Sequence, residues 1–218
     1  MGTTTDQLDV ISQMYAAGHL PPRARVADFG CQQLYGGTPG KVAEFLRAFG
    51  REAPDSVVTQ LASEGAFIGH IFAEAGFRYV SFDIVEAPFC EYFDLNVDSV
   101  PAVRRNTFDL VLNFGTTEHV MNQYNAFKAL HDSATPGGLI YSYFIRAGHM
   151  EHGLVHYSDR FVDLWCQANA YEALWRYDHD KPNEECTWLV VKRPTDAAFQ
   201  AVVDVQEGED LPRLRKRA

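Results

Sequence analysis

Hydrophobic and polar positions follow helical and extended spacing in turn along the chain. Apolar residues recur every three or four positions in residues 5–17, and the break at "HLPPRA" then leads to a short apolar run over residues 26–29. This pattern predicts a helix followed by a first strand. Residues 38–76 again show helical spacing, interrupted by glycine and proline positions, which predicts several short helices.

Three later runs, "YVSFDIV", "FDLVLNF" and "LIYSYFI", are apolar throughout and typical of strands buried on both faces of a parallel sheet. A helical segment over residues 122–138, ending in a Pro-Gly-Gly turn, separates the last two and completes a βαβ unit. A helix over residues 158–171 and two strands, "EALWRYDH" and "TWLVVKRP", follow. The pattern predicts an α/β fold with a doubly wound, mostly parallel sheet and a C-terminal antiparallel hairpin.

The length of 218 residues, with 46% hydrophobic and 22% charged content, suits a single globular domain. We expect this domain to occupy residues 1–194. Residues 195–218 turn acidic and then basic, which predicts a flexible tail.

The formal net charge of −10 disfavours binding to DNA or RNA, because a polyanion would be repelled. No apolar run approaches the roughly 20 residues needed to cross a bilayer, and the first residues are polar and acidic. We therefore expect a soluble cytoplasmic protein with no nucleic-acid or membrane partner. The four cysteines lack C-x-x-C spacing, which fits neither a zinc site nor a disulfide framework, and are expected to be buried thiols.

Acidic residues and glycines stand where the predicted strands end. Asp28 and Gly30 close the first strand, Asp83 closes the second, Asp94 follows a short extended segment, and Gly115 follows the next strand. Ligands of doubly wound sheets bind at the carboxyl ends of the strands, so these residues predict a site at that edge. A carboxylate just past the second strand can accept both hydroxyls of a ribose; the alternative is that Asp83 caps a loop or helix.

The ordered motifs resemble the class I S-adenosylmethionine-dependent methyltransferases over most of residues 20–192. "VADFGCQQL" is similar to the family's glycine-loop motif, Asp83 in "VSFDIV" to its ribose-binding acid, and Asp94 in "YFDLN" to the acid near the adenine. "FDLVLNFGTTEHV" and "ALHDSATPGGLI" resemble the fourth-strand motif and the approach to the fifth strand.

The resemblance implies a Rossmann-like fold, S-adenosylmethionine as cofactor, S-adenosylhomocysteine as product and a small-molecule methyl acceptor as partner. The residues expected to bind the cofactor are Asp28, Gly30, Gln32, Gln33, Asp83, Ile84, Asp94, Leu95, Phe114 and Gly115.

The glycine loop departs from the family pattern, because Gln32 and Leu34 stand where glycines usually recur. Glycine lets the backbone approach a ligand closely, so the loop either stands further off or touches the cofactor through a glutamine side chain. We favour a hydrogen bond from Gln32 or Gln33 to the amino-acid end of the cofactor. The alternative is that both side chains point to water.

The stretch between the glycine loop and the second acid is also long, at about fifty residues, against roughly twenty in a compact nucleotide-binding unit. We expect a helical insertion at about 38–63 that caps the site, with Gly36, Gly37 and Gly40 as hinges. A surface insertion or a contact between copies in a homo-oligomer is the alternative.

Methyl transfer mainly requires positioning, with a base where the acceptor must lose a proton. His119 is the expected base, because it lies just past the fourth strand and an imidazole titrates near neutral pH. In small-molecule members of the family a Glu-His or similar pair often stands where Glu118 and His119 stand. The alternative is that His119 only packs or hydrogen-bonds beneath the pocket.

The segment "RAGHMEHGLVHYSD" follows the fifth strand, at the edge where an acceptor would enter. Three histidines could suggest a metal ion, but Gly148 and Gly153 argue against one helical face and no fourth ligand is apparent, so we expect no metal site. We expect a substrate-binding loop that uses His149, His152, His156 and Tyr157.

These features predict methyl transfer from S-adenosylmethionine to an oxygen or nitrogen of a small polar metabolite. A non-catalytic scaffold or binding protein is the alternative, because Gln32 and Leu34 replace glycines. A dehydrogenase is less favoured, since the dinucleotide motif G-x-G-x-x-G has only its first glycine here.

Overall fold

The structure is a computed structural model that describes residues 2–148, 151–181 and 184–203. Within these residues the structure has six helices, a short 3-10 turn at Thr117–His119 and nine strands. The helices are α1 Thr5–Ala16, α2 Pro39–Ala48, α3 Asp55–Leu61, α4 Ile68–Glu74, α5 Gln123–Ser133 and α6 Asp159–Ala168. The strands are β1 Gly2–Thr3, β2 Arg25–Phe29, β3 Gln33–Leu34, β4 Arg78–Asp83, β5 Cys90–Tyr92, β6 Phe108–Phe114, β7 Ala134–Gly148, β8 Glu172–Lys181 and β9 Glu184–Lys192.

Seven strands form one sheet in the order β5-β4-β2-β6-β7-β9-β8. The first five of these strands run parallel, and β9 is antiparallel to both β7 and β8. The predicted α/β fold, a mostly parallel Rossmann-like sheet with a C-terminal antiparallel hairpin, is confirmed. Asp28 of β2 is in register with Ser81 of β4 and Leu112 of β6, so these three strands end at one edge of the sheet.

Two apolar cores lie on the two faces of this sheet, which explains why its central strands read as continuous apolar runs. Along β2, Val26 belongs to the core beneath α1–α4, and Ala27 belongs to the core beneath α5 and α6. Successive side chains of a strand point to opposite faces, so both faces must be apolar.

The helices of residues 38–63 belong to the layer that covers the first face. Phe45 and Leu46 of α2 and Val58 of α3 are buried in the same core as Val26 of the sheet. This corrects the expectation of a cap over the site, because helices that bury such side chains against a sheet cannot also serve as a free lid.

The strands β1 and β3 form a short parallel pair that the sequence did not predict. Gly2 and Thr3 pair with Gln33 and Leu34, so the start of the chain lies against the loop that follows β2. Two-residue strands have no detectable periodicity, and their pairing depends on contacts between distant segments.

The residues after β9 pack against the domain as far as the structure describes them. Phe199 is buried beside His131, and the backbone N–H of Gln200 donates to Oδ1 of Asn169 at 2.9 Å. Residues 195–203 are therefore not part of a flexible tail, and residues 204–218 lie outside the described residues. Among the described residues, no helix has the length and apolar character needed to span a membrane.

Candidate functional site

The loop after β2 and the end of β4 meet at the carboxyl edge of the sheet. Gly30 has a φ of 113°, a conformation that other residues rarely adopt. The next residue, Cys31, donates its backbone N–H to Oδ2 of Asp83 at 2.8 Å, and Ile84 donates its own to Oδ1 at 2.7 Å. The structure thus brings together Gly30 and Asp83, which the sequence analysis assigned to one cofactor site.

The adjoining segment contains the other residues expected near the base of a nucleoside. Ile84 is 61% exposed, so its apolar side chain can pack against a planar ligand. Asp94 is half-buried, and its Oδ1 accepts the backbone N–H of Asn96 at 2.8 Å, which closes a tight turn. Leu95 is buried in the core, so only its backbone could face a ligand.

Gln32 is buried and links the ends of two strands. Its side chain is 1% exposed, and Nε2 donates to Oγ1 of Thr116 at 3.1 Å. The alternative that this side chain points to water is therefore wrong. Its Oε1 has no hydrogen-bond partner among the described residues. Gln33 is half-buried, and its Oε1 accepts the hydroxyl of Tyr35 at 3.1 Å, whereas Leu34 is fully buried.

Asp28 lies beneath the loop rather than on its surface. Its carboxyl is fully buried, and Oδ2 accepts the hydroxyl of Tyr79 at 2.6 Å. Burial raises the pKa of Asp28 well above its ordinary value; the Tyr79 hydrogen bond opposes the increase and the nearby Asp83 carboxylate adds to it. This position favours a supporting role under the loop, and a direct contact of Asp28 with the cofactor stays a prediction.

The raised pKa of Asp28 predicts that stability falls as pH rises. The folded state keeps a proton that the unfolded state releases above about pH 4, so the free energy of unfolding decreases towards neutral pH, by at most about 1.4 kcal/mol per pH unit. Asp28→Asn is expected to remove this contribution to the pH dependence of the free energy of unfolding. Urea unfolding at about pH 4.5 and pH 7 checks it, with Asp55→Asn at an exposed position as control. An unchanged pH dependence in Asp28→Asn would contradict the assignment.

A cavity of about 310 Å³ lies next to this edge, at the ends of β6 and β7 and the start of α1. Phe114, Gly115 and Glu118 contribute to its wall after β6, and His152 contributes from the loop after β7. Asp83 and Asp94 do not line it. The other lining residues are Gly2, Thr4, Gln7, Tyr143, Ile145, Glu184 and Trp188.

Glu118 is a buried carboxyl in this wall. Neither of its carboxyl oxygens has a hydrogen-bond partner among the described residues. Burial raises the pKa of Glu118 to about 7. Two glycines with positive φ leave room for the side chain, because a Cβ at Gly115 would lie 3.0 Å from Oε1 and one at Gly153 would lie 3.0 Å from Cγ.

His119, which follows Glu118 in the sequence, lies at the protein surface. Its Nε2 is 3.2 Å from Nε2 of His152, and the two rings meet edge to face. Burial and the neighbouring His152 lower the pKa of His119. His119 therefore does not lie beneath the pocket, and its role as a base stays a prediction.

Of the three residues of the expected substrate loop that the structure describes, His152, His156 and Tyr157, only His152 lines the cavity. Nε2 of His156 lies 3.0 Å from the carbonyl oxygen of Gly148. Tyr157 is 2% exposed and donates its hydroxyl to Oε1 of Gln123 at 2.7 Å, so its assignment to substrate binding is wrong. Its ring packs in the core instead, and His149 lies outside the described residues.

Several polar residues of the cavity wall were not predicted from the sequence. The hydroxyl of Tyr143 donates to Oε1 of Glu184 at 2.7 Å, and Gln7 accepts the backbone N–H of Thr4 at 2.7 Å. Tyr143 lies within an apolar strand, and Thr4 and Gln7 form an ordinary helix-capping pair, so no local signal singles them out.

Comparisons with known proteins agree with this architecture. A family model described as "Methyltransferase domain" matches residues 6–181. A search of curated protein sequences gives no match.

Solved structures share the fold at low sequence identity. The 1,6-didemethyltoxoflavin-N1-methyltransferase of Burkholderia thailandensis, with bound 1,6-didemethyltoxoflavin and S-adenosylhomocysteine, has a TM-score of 0.53 at 14% identity, covering 88% of this chain and 78% of that one. An S-adenosylmethionine-dependent methyltransferase from Mesorhizobium loti has a TM-score of 0.51 at 13% identity, and the match covers 85% of this chain and 100% of that one. The CurJ carbon methyltransferase has a TM-score of 0.52 at 13% identity, and the match covers 88% of this chain and 54% of that one.

At these identities the structural likeness establishes the fold alone, whereas the family model spans most of the chain. The family match identifies the chain as a methyltransferase enzyme, which favours this function over the non-catalytic alternative, and the strand order of the sheet agrees with it. The chain belongs to the class I S-adenosylmethionine-dependent methyltransferases, within the family whose model carries the name methyltransferase domain.

Proposed function

We propose that this enzyme transfers a methyl group from S-adenosylmethionine to an oxygen or nitrogen of a small polar metabolite held in the 310 Å³ cavity. The observation that carries the proposal is the direct link between the two halves of the site. Gln32 of the cofactor loop donates to Thr116, which stands between two residues of the cavity wall, Gly115 and Glu118. The cofactor edge and the cavity are therefore neighbours along one continuous wall.

The residues at the edge fit the cofactor. S-adenosylmethionine supplies, when bound, a methyl group on a positively charged sulfur that an acceptor can attack. Each oxygen of Asp83 accepts one backbone N–H, and a carboxylate oxygen has a second lone pair with which to accept a ribose hydroxyl. The two backbone contacts hold the carboxylate in place before the ligand binds.

We assign the adenine to the surface beyond Asp83. The exposed side chain of Ile84 offers an apolar face, and Asp94 with the backbone of Leu95 offers polar groups at the rim of the base. We assign the methionine end to the loop of Gly30, Gln32 and Gln33. The unpartnered buried Oε1 of Gln32 supports this assignment, because a buried acceptor without a partner is costly unless a ligand donates to it.

The cavity supports a small and polar acceptor. Its volume is near the lower limit of about 300–1,000 Å³ for small-molecule sites. Glu118 and Glu184 supply carboxyl groups to its wall, and Thr4 and Gln7 add further hydrogen-bonding groups. We propose that Glu118, rather than the more exposed His119, contacts the acceptor and holds its polar hydrogen during the transfer.

The choice of an oxygen or nitrogen acceptor rests on this polar wall. The names of the structural neighbours include one enzyme that methylates nitrogen and one that methylates carbon, so the fold accommodates both. Hydrogen-bonding groups around the acceptor favour a heteroatom, because a carbon acceptor would not use them at the reacting atom.

Calorimetric titration of the full chain with S-adenosylhomocysteine tests the cofactor, with NAD as the comparison ligand. We expect saturable binding of S-adenosylhomocysteine and none of NAD. Transfer of labelled methyl groups to a panel of small alcohols, phenols, carboxylic acids and amines then tests the reaction, and mass spectrometry of the product locates the new methyl group. Absence of saturable binding would refute the cofactor assignment, and methylation of carbon would refute the acceptor class.

A further inference from the structure

Glu118, His119 and His152 bring three metal-binding side chains together at the edge of the cavity. One ligand atom from each lies within 4.8 Å of the others. We propose that these three residues bind one divalent transition-metal ion. The histidines that the sequence analysis considered for a metal all belong to the loop after β7, whereas this group combines one of them with the pair after β6.

The distance between the imidazoles suits two ligands of one ion. The Nε2 atoms are 3.2 Å apart. Two imidazole nitrogens at about 2.0–2.1 Å from a zinc ion lie roughly 3.0 Å apart at a right angle and roughly 3.4 Å apart at the tetrahedral angle. The spacing of the two nitrogens therefore matches that of two imidazole ligands of one ion.

The buried carboxyl of Glu118 provides independent support. Both oxygens are inaccessible to solvent and lack a hydrogen-bond partner among the described residues. An unpartnered buried carboxylate is costly, and a cation removes that cost. Glu118 and His152 also line the same cavity, so an ion held by them would lie in its wall.

Backbone hydrogen bonds hold the loop that carries His152 against the segment that carries Glu118 and His119. The N–H groups of Leu154 and Val155 both donate to the carbonyl oxygen of Glu118, at 2.6 and 3.1 Å. Gly153 packs against the Glu118 side chain so closely that a Cβ there would lie 3.0 Å from Cγ. His152 is thus held over the Glu118–His119 pair by neighbours on its own loop, which reduces the ordering that ion binding requires.

The donor set selects the class of ion. Two imidazole nitrogens and one carboxylate suit zinc and other first-row transition ions, whereas magnesium and calcium prefer oxygen ligands throughout. Three protein ligands leave at least one position open towards the cavity. On the proposed function, on which this step rests, the open position would take an oxygen or nitrogen donor of the methyl acceptor, with one oxygen of Glu118 as a ligand and the other left to hold the acceptor's polar hydrogen.

Titration of the untagged, chelator-treated full chain with Co²⁺ tests the site without any assay of activity. We expect visible absorption bands of cobalt bound by nitrogen and oxygen, saturating at one ion per chain and reversed by Zn²⁺. His152→Ala and Glu118→Gln are each expected to weaken Co²⁺ binding about tenfold or more, since even partners outside the ligand set contribute about 10–100-fold. His152 is exposed, so its replacement leaves the fold intact.

His19→Ala is the matched control, because His19 lies at the end of α1 opposite to Thr4 and Gln7, which line the cavity. We expect its Co²⁺ affinity to equal that of the unmodified chain. Lack of saturable binding, or equal binding by His152→Ala, would overturn the metal site. If methyl transfer persists in chelator, the metal site stands but its proposed contact with the methyl acceptor is refuted. If Co²⁺ binds saturably but no methyl transfer is found, the metal site is supported and the proposed function is refuted.

Discussion

Asp83→Ala is expected to weaken S-adenosylhomocysteine binding about 100-fold or more. The carboxylate holds the loop through the Cys31 N–H at 2.8 Å and is assigned to the ribose hydroxyls. Hydrogen bonds to a charged group contribute about 1.5–3 kcal/mol each, and about 1.4 kcal/mol corresponds to a factor of ten in affinity. Asp83→Asn keeps one acceptor oxygen, so we expect an intermediate affinity. Calorimetric titration of the three proteins measures the series.

Asp109→Ala is the matched control for this series. The Asp109 carboxylate also accepts a backbone N–H, that of Arg25 at 2.7 Å, but at the opposite end of β2 from the loop. We expect its affinity for S-adenosylhomocysteine to stay within about twofold of the unmodified chain. Equal losses in the Asp83 and Asp109 variants would mean that a general loss of stability, and not a contact with the ribose, weakens binding.

Glu118→Gln is expected to lower the rate of methyl transfer about 100-fold or more, while S-adenosylhomocysteine affinity changes less than about twofold. The reason is that Glu118 faces the acceptor cavity and not the edge with Asp83. Removing a group that holds or takes a proton in the reaction costs about 10²–10⁴ in rate. Steady-state kinetics with an acceptor found in the screen, together with calorimetry, separates the two effects.

Glu184→Gln tests whether the loss is specific to Glu118. Glu184 is the second carboxyl of the wall, and glutamine keeps an oxygen that can accept the Tyr143 hydroxyl. We expect its rate of methyl transfer to fall less than about tenfold. Similar losses in both variants would argue that the overall charge of the cavity, and not contact with Glu118, controls the reaction.

The prediction of the fold succeeded where the pattern is local. Apolar runs identified β4, β6 and β7, and the predicted strands "EALWRYDH" and "TWLVVKRP" correspond to β8 and β9 of the hairpin. The predictions of a cap at residues 38–63 and of a flexible tail at residues 195–203 were wrong, because both segments pack into the domain. Amphipathic helices look alike whether they cover a sheet or a ligand, because their apolar stripe does not say what it meets.

The sequence by itself determined the order of the longer elements and the edge at which Gly30 and Asp83 meet. Runs that are apolar throughout indicate parallel strands, and the carboxyl ends of neighbouring parallel strands lie at one edge of the sheet. Only the tertiary structure decided which polar side chains share a cavity. Tyr157 turns into the core, while His152 of the same loop reaches the Glu118–His119 pair. Neighbours so far apart along the chain depend on how the loops pack, and hydrophobic periodicity describes only the few residues around each position.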